Sequence, residues 1–402
     1  MSHYNSHSSI MKHIIIKILS ILFITLIIIS CGNEEEFIPD SSFIKIYNDE
    51  SFESSYIPMD IVQAGDNGYF ILSAYDSWNT YILRVDDEGE FMWDYQLEEN
   101  YVNPVNGLYY LDSAFYFFCM DDLSLATILM KATDQSKSAQ AERTYGNTIY
   151  PLHSSAVNDG FLLLSYNRES YSSRLTKLGT NFIEQWNEEY SVEQDVEESI
   201  VSHLTRIGDR LPFFTGQAGS KYFLNGYYNY SMSMLFVNSN DGMQTGVING
   251  FREKSAISSA KYLDGNSYAL SRFDFGDNYI IPKIDLNTTG TGISSDLNGN
   301  IHPEMTPNAV VYSDIINVNG KEITMYATST KAGQILLYAY DAINGTLVGT
   351  HHLGRLNPYD AIDFAPTSDG GLAVLGNTDV NGRFSRITLI KLSEKELIDF
   401  AN

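Results

Sequence analysis

Four prolines in this chain are each followed, two residues on, by a side chain able to hold a ligand: Pro58 and Asp60, Pro104 and Asn106, Pro151 and His153, Pro358 and Asp360. His203 stands in a comparable place between the third and fourth of these pairs. Two carboxylates, a carboxamide and two imidazoles drawn into one ring could hold a cation or a polyhydroxy ligand, and His153 or His203 could act as base in a lyase or hydrolase. The same residues suit a plainer task. Proline is tolerated at a strand's first residue, where no ladder donor is lost, and a polar side chain just behind it can satisfy open backbone groups of a neighbouring strand. Repeated polar caps serve structure more often than function, so the structural reading comes first.

Other chemistry is scarce. His351 and His352 are adjacent, and adjacent strand residues point to opposite faces, which is no zinc spacing. Asp296-Leu297-Asn298-Gly299-Asn300 and Asn238-Ser239-Asn240-Asp241-Gly242 carry oxygen ligands without the distal Glu of a calcium loop and read as turns. Neither a nucleophile elbow nor a phosphate loop occurs, no cofactor is implied, and fifty acidic residues offer too many carboxylate pairs to single one out for glycoside hydrolysis. A formal net charge of -25 repels polyanions, so nucleic acid is not an expected partner. Aromatic residues are the remaining candidates. Trp78, Tyr101, Tyr166, Tyr171, Tyr222, Tyr227, Tyr228, Tyr230, Phe273 and Phe275 fall in expected loops, where exposed rings would stack on sugars or anchor a protein partner. The connection over 287–305 is long enough to be functional or mobile.

The elements that must position these residues are strands. The chain has 28 Tyr and 21 Phe, types that favour pleated strands, and no helical periodicity lasts over several turns, so the class is all-β. A unit recurs: Asp60-Ile61-Val62, the turn Asp66-Asn67-Gly68, Tyr69-Phe70-Ile71-Leu72, Tyr81-Ile82-Leu83-Arg84-Val85, then Gly89 and Trp93. It returns with Asn158-Asp159-Gly160, Lys177 and Trp186, and again with Ser368-Asp369-Gly370-Gly371 and Lys391. Lys131 and Lys283 mark degenerate copies, with Phe236 and Ala339 in the matching place of two weaker ones. A four-stranded unit of about 50 residues repeated about seven times predicts a β-propeller. The last copy ends too soon after Leu392 for a reliable outer strand. Phe43-Ile44-Lys45-Ile46-Tyr47 alternates correctly to pair with the strand over 386–392 and close the ring, the other candidate being residues 397–400. The repeat resembles the degenerate propeller repeats of bacterial exported proteins, and Asp341-Ala342-Ile343-Asn344-Gly345-Thr346-Leu347 resembles a quinoprotein-type blade motif; the likeness implies a fold and no activity.

The N-terminal end predicts a location. An apolar run over 14–29, preceded by Lys12 and carrying Lys17, stops at Ser30 and Cys31; it is shorter than the roughly 20 residues of a spanning helix and reads as a signal peptide. Ile28-Ile29-Ser30-Cys31 resembles the lipobox of bacterial lipoproteins, which implies cleavage between Ser30 and Cys31 and acylation of Cys31. The acidic Glu34-Glu35-Glu36 behind it resembles the surface-export signal of Bacteroidetes-type lipoproteins, or serves as a solvated tether. The expected organisation is a signal peptide over 1–30, a lipidated tether over 31–42 and a propeller over 43–402. The expected role is a noncatalytic outer-membrane surface lipoprotein, held to the membrane by its lipid and binding a glycan or envelope protein. A polysaccharide-active enzyme, a structural subunit of an outer-membrane assembly, and a periplasm-facing orientation are the alternatives. If Cys31 is acylated, Cys119 has no intramolecular mate and is read as a small buried hydrophobe.

Overall fold

The structure, a computed structural model, describes residues 42–47, 54–208, 210–354, 357–380 and 384–402. The predicted signal peptide, Ser30, Cys31 and the tether up to residue 41 lie outside the described residues. Among the described residues no helix is long and apolar enough to cross a membrane.

Antiparallel strands make up most of the described residues, among which lie two short helices, α1 (Glu197–Thr205) and α2 (Glu394–Ala401). A representative sheet runs Pro151–Val157, Gly160–Asn167, Ser172–Leu178 and Glu184–Ser191, hydrogen-bonded in chain order. Its second strand is buried along almost its whole length, whereas its fourth is mostly exposed. That gradient follows from packing: middle strands are covered on both faces by neighbouring sheets and therefore read as continuous apolar runs. Six sheets form among the described residues, and the nine-stranded one comprises two such meanders, joined through the short strand Tyr101–Val102, in which Val102 pairs with Asn79. Adjacent sheets share their cores, as where Phe223, Met234 and Phe236 meet Ile257, Tyr268 and Leu270. The first meander likewise packs on the last sheet, with Ile61, Tyr69, Ile71 and Leu83 against Ile362, Leu375 and Leu389. Cys119 is fully buried among Phe70, Ile82, Phe117 and Met130, and burial pushes its thiol pKa up.

The recurring sequence unit has a physical cause. In three copies the carboxylate of the first hairpin turn pairs with a cation buried in the third strand: Asp66 with Arg84 at 2.5 Å, Asp159 with Lys177 at 3.0 Å, Asp369 with Lys391 at 2.9 Å. Each cation also donates to the carbonyl of the residue that follows it, Val85, Leu178 or Leu392. The turn glycine makes room. A Cβ on Gly68 would lie 2.5 Å from the Val85 carbonyl oxygen and 2.3 Å from Arg84 Nη1, and one on Gly371 2.2 Å from the Leu392 carbonyl oxygen and 2.3 Å from Lys391 Nζ, so a side chain there would push the backbone and the cation aside. Turn, glycine and cation are thus one device that locks the hairpin to the third strand. Lys177→Met removes the donor to two carbonyls and a carboxylate and should lower stability by about 2 kcal/mol, read from the urea midpoint.

A second device links neighbouring meanders. Trp93 Nε1 donates to Asp134 at 2.9 Å and Trp186 Nε1 to the Ser239 carbonyl at 3.1 Å, so each of these fourth-strand Trp side chains docks on the third-to-fourth hairpin of the following meander. Phe43–Tyr47 takes the matching place at the end of the chain. It lies antiparallel along Phe384–Leu392, Phe43 opposite Lys391 and Tyr47 opposite Ile387. The Tyr47 hydroxyl donates to the Gly89 carbonyl at 2.9 Å, in the hairpin that carries Asp86 and Glu90. Residues 397–400, the other candidate for that edge, instead belong to α2, which begins with a capping box between Ser393 and Glu396. The connection over 287–305 is built into two sheets: Thr291–Ile293 adds in parallel to Gln244–Asn249, and Asn300–Ile301 pairs with Asp277–Asp285.

Candidate functional site

The inner strands surround a central cavity of about 870 Å³. Asp60, Asn106, His153 and His203 all border it. How they arrive there differs from the proline spacing. A register shift precedes Asp60 (after Pro58) and His153 (after Pro151), and a third falls between Ala361 and Asp363. The bulge twists the strand and aims the next side chain inward. In the last sheet the inward residue is therefore Asp363, while Asp360 is exposed and borders a second cavity of about 460 Å³. The legible signal was the distance to the hairpin turn. Residues 60 and 66, 153 and 159, and 363 and 369 are each six apart, whereas Pro358 and Asp360 fall out of register with the other copies.

His203 is a second correction. It comes from α1, in the connection between two sheets, and the inner strand of that copy is Phe214–Ala218. Ile200 and Leu204 bury one side of α1 while Arg206, at its C-cap with φ 58°, turns back over the cavity. Arg206 donates to the carbonyls of Ser77 at 2.9 Å and Pro104 at 2.6 Å, which pins the helix to two other connections. His203 Nδ1 accepts from the Leu211 N–H at 3.0 Å, so its exchangeable proton sits on Nε2. Burial pushes the pKa of both His153 and His203 down to about 3, and both imidazoles are neutral at pH 7. His153 Nδ1 lies 3.3 Å from the Thr215 hydroxyl, which is itself 2.7 Å from that of Ser155.

Asp60 is held by a dense set of hydrogen bonds at the cavity wall. One oxygen accepts from the Ile61 N–H at 2.7 Å, the other from Gly107 at 2.6 Å and Leu108 at 3.0 Å, and Asn106 Nδ2 donates to the Met59 carbonyl at 2.7 Å. Asp363 is hydrogen-bonded to the same carboxylate. Two carboxylates cannot make that bond without a shared proton. Burial raises both groups, but three N–H donors favour the charged form of Asp60, so Asp363 carries the proton and donates it. Elsewhere on the wall Lys261 pairs with Asp314 at 3.1 Å, and Arg210 donates to the Tyr312 hydroxyl. Among the described residues no group of three or more His, Cys, Asp and Glu is placed to hold a metal ion. The wall is instead a mixed set of fixed donors and acceptors around space for a polar molecule.

The aromatic candidates divide. Within a meander, the second-to-third hairpin and the connection to the next sheet lie at the same end. Trp78, Tyr171, Tyr230 and Phe275 occupy such hairpins and are exposed, Trp78 at 45%. Tyr227 is not available for stacking. It is buried within the strand Lys221–Tyr228, its hydroxyl bonded to Glu253, and Tyr228 is half-buried against the core in the same strand. Tyr166, Tyr222 and Phe273 are buried strand residues too, and Tyr101 is half-buried in a short strand. These rings fill the space between sheets, where large flat side chains suit a sheet-on-sheet core.

No family model and no curated protein matches this chain. Solved structures do resemble it. A catalytically inactive virginiamycin B lyase from Staphylococcus aureus, in complex with quinupristin, has a TM-score of 0.52 and 10% identity, covering 87% of this chain and 99% of its own. The β-propeller domain of the trilobed protease from Pyrococcus furiosus has a TM-score of 0.45 at 11% identity, covering 85% and 98%. A protein of unknown function from Bacteroides caccae has a TM-score of 0.40 at 11% identity, covering 81% and 90%. At such identity the likeness to the lyase speaks to fold alone, and with the repeated sheets it identifies a β-propeller.

Proposed function

We propose that this chain is a glycan-binding surface lipoprotein: a seven-bladed ring whose last blade is completed by the N-terminal strand, fastened to the outer membrane through a lipid on Cys31. The observation that carries the binding role is the central cavity, large enough for a few sugar residues and walled by hydroxyls, neutral imidazoles and a proton-sharing carboxyl pair. Sugars need such fixed donors and acceptors, together with an apolar ring to stack on. Trp78 offers that ring beside Ser77, whose carbonyl Arg206 holds. The anchoring role is supported by the apolar run over 14–29 and by Ser30-Cys31 with the acidic residues behind it.

The test is a titration of the full-length protein in detergent against an oligosaccharide array. Trp78→Ala should weaken binding about tenfold with an unchanged melting temperature, since a stacked base or sugar ring is worth on the order of 1 kcal/mol or more. Unchanged affinity of Trp78→Ala would remove that face from the site. Tyr227→Ala is no test of binding, because it opens a hole in the core. Protease treatment of intact cells distinguishes surface display, which leaves the protein open to cleavage, from a periplasm-facing tether.

A catalytic reading rests on His153, a neutral base bordering the cavity. Turnover of a polysaccharide by the purified protein, lost in His153→Ala, would promote it. Asp60 and Asp363 do not serve as a glycosidase pair, because carboxyl groups that flank a glycosidic bond stand about 5 Å or more apart and these two hydrogen-bond each other. A role as a structural subunit would show as co-purification with envelope proteins at fixed stoichiometry.

A further inference from the structure

Tyr230 and Phe275 stand where the backbone favours other residues. Tyr228 pairs with Ser231 and Asp274 with Asp277, so each hairpin turns on two residues, Asn229-Tyr230 and Phe275-Gly276, whose φ angles are 44°, 70°, 48° and 99°. Two-residue turns with positive φ at both places favour Asn-Gly, and a bulky side chain there is strained. At the opposite end of the same two sheets the first hairpins use Gly219 and Gly265, at φ 58° and 52°. Tyr150 and Phe182 also have positive φ, but both are buried, and Phe182 stacks on Phe161 at 4.3 Å, so core packing offsets the strain. Tyr230 and Phe275 stay 53% and 67% exposed. Strain held at exposed rings points to contacts beyond the chain.

The two tips are joined to exposed neighbours. The Val192 N–H donates to the Tyr171 carbonyl and the Tyr230 N–H to that of Val192, both at 2.9 Å, while the Phe275 N–H donates to the Lys254 carbonyl at 2.8 Å. Phe251, exposed in the same connection as Lys254, lies 5.7 Å from Phe275 ring to ring. Both tips are thus fixed before any partner arrives. We propose that Tyr171, Tyr230, Phe251 and Phe275 form a docking surface for a protein that presents apolar side chains among lysines and arginines. This surface is separate from the glycan reading, which concerns the cavity and Trp78. Two features select the occupant. Val201 and Ile207, exposed in the connection before Tyr230, offer a sugar no flat ring, whereas an apolar protein surface buries aliphatic and aromatic side chains alike. Among the described residues of these hairpins and connections, exposed Glu169, Glu193, Asp195, Glu198 and Asp277 outnumber exposed Arg168, Arg252 and Lys254, and Arg168 is paired with Glu197 at 3.3 Å. That excess, in a chain of net charge -25, repels a second copy and complements a basic protein.

The test passes the full-length protein in detergent over immobilised peptides of equal length built from lysine and leucine, lysine and serine, or glutamate and leucine, with empty micelles as the blank. The lysine-leucine peptide should bind about tenfold more tightly than the other two. Tyr230→Gly combined with Phe275→Asn, which makes both turns Asn-Gly, should weaken that binding about tenfold while the urea midpoint stays at or above the parent's. Lysine-leucine binding that is absent, matched by either other peptide, or unchanged in the double variant would overturn the docking surface and leave the glycan reading standing. A lowered urea midpoint would overturn it too, since the rings would then be supports of the fold. Self-association of the parent that the double variant lacks would give the surface to a second copy instead, and oligosaccharide binding lost in the double variant would give it to a glycan.

Discussion

Asp60→Ala should lower stability by about 4 kcal/mol, while Asp363→Asn should stay within about 1 kcal/mol of the parent at pH 5. Removing the Asp60 carboxylate strands the N–H groups of Ile61, Gly107 and Leu108 and leaves the Asp363 proton without its acceptor. Each abandoned buried donor costs about 1–3 kcal/mol, and partial hydration by the cavity keeps the sum near the lower end. Asn at 363 still presents a donor to Asp60. The pair also has a pH signature. Burial, reinforced by the Asp60 carboxylate, holds Asp363 well above the usual carboxylate range, so the folded protein keeps a proton that the unfolded chain releases near pH 4. The contribution is complete below about pH 4 and is lost as pH rises through the folded value. Asp363→Asn lacks that proton, so its stability relative to the parent should improve from pH 4 to pH 8. Urea midpoints across that range decide the matter, and equal losses for the two variants, or a pH-independent difference, would show that the proton is not shared in this way.

Deleting residues 43–47 should cost about 5 kcal/mol and make the protein aggregate. Five residue pairs are lost along Phe384–Leu392, together with the Tyr47 bond to Gly89. The uncovered strand is long and apolar, with Ile387, Leu389 and Ile390 buried in the intact protein, and an edge of that kind pairs with other chains. Lys45→Ala, which removes only the exposed ion pair with Glu90, should remain within about 0.5 kcal/mol of the parent. A deletion variant that unfolds at the parental urea midpoint and scatters no light would show that the last sheet stands without this strand.

The architecture was legible because its cause is local. Asp, Gly and a cation at fixed distances form one bonded device in the first, third and last copies, so the repeat survives where little else does. The site was legible in part. Asp60, Asn106 and His153 follow their prolines into the cavity, but the position of Asp363 depends on a bulge between Ala361 and Asp363 that no proline marks. His203 reaches the cavity from a helix whose tertiary contacts, through Arg206 to Ser77 and Pro104, join residues more than a hundred positions apart. Tyr227 shows the limit of composition. A tyrosine two residues from a hairpin is as compatible with a packed strand end as with an exposed loop, and only the neighbouring sheet decides.

The direction of Phe43–Tyr47 has a mechanical side. The chain enters this strand at the end where Phe43 meets Gly89, and runs antiparallel to Phe384–Leu392. Tension drawing Ser42 away from that end acts along the strand axis, so all five pairs are sheared together and none can be peeled open ahead of the next. The outermost strand therefore resists a pull on Ser42 in shear, through all five pairs at once.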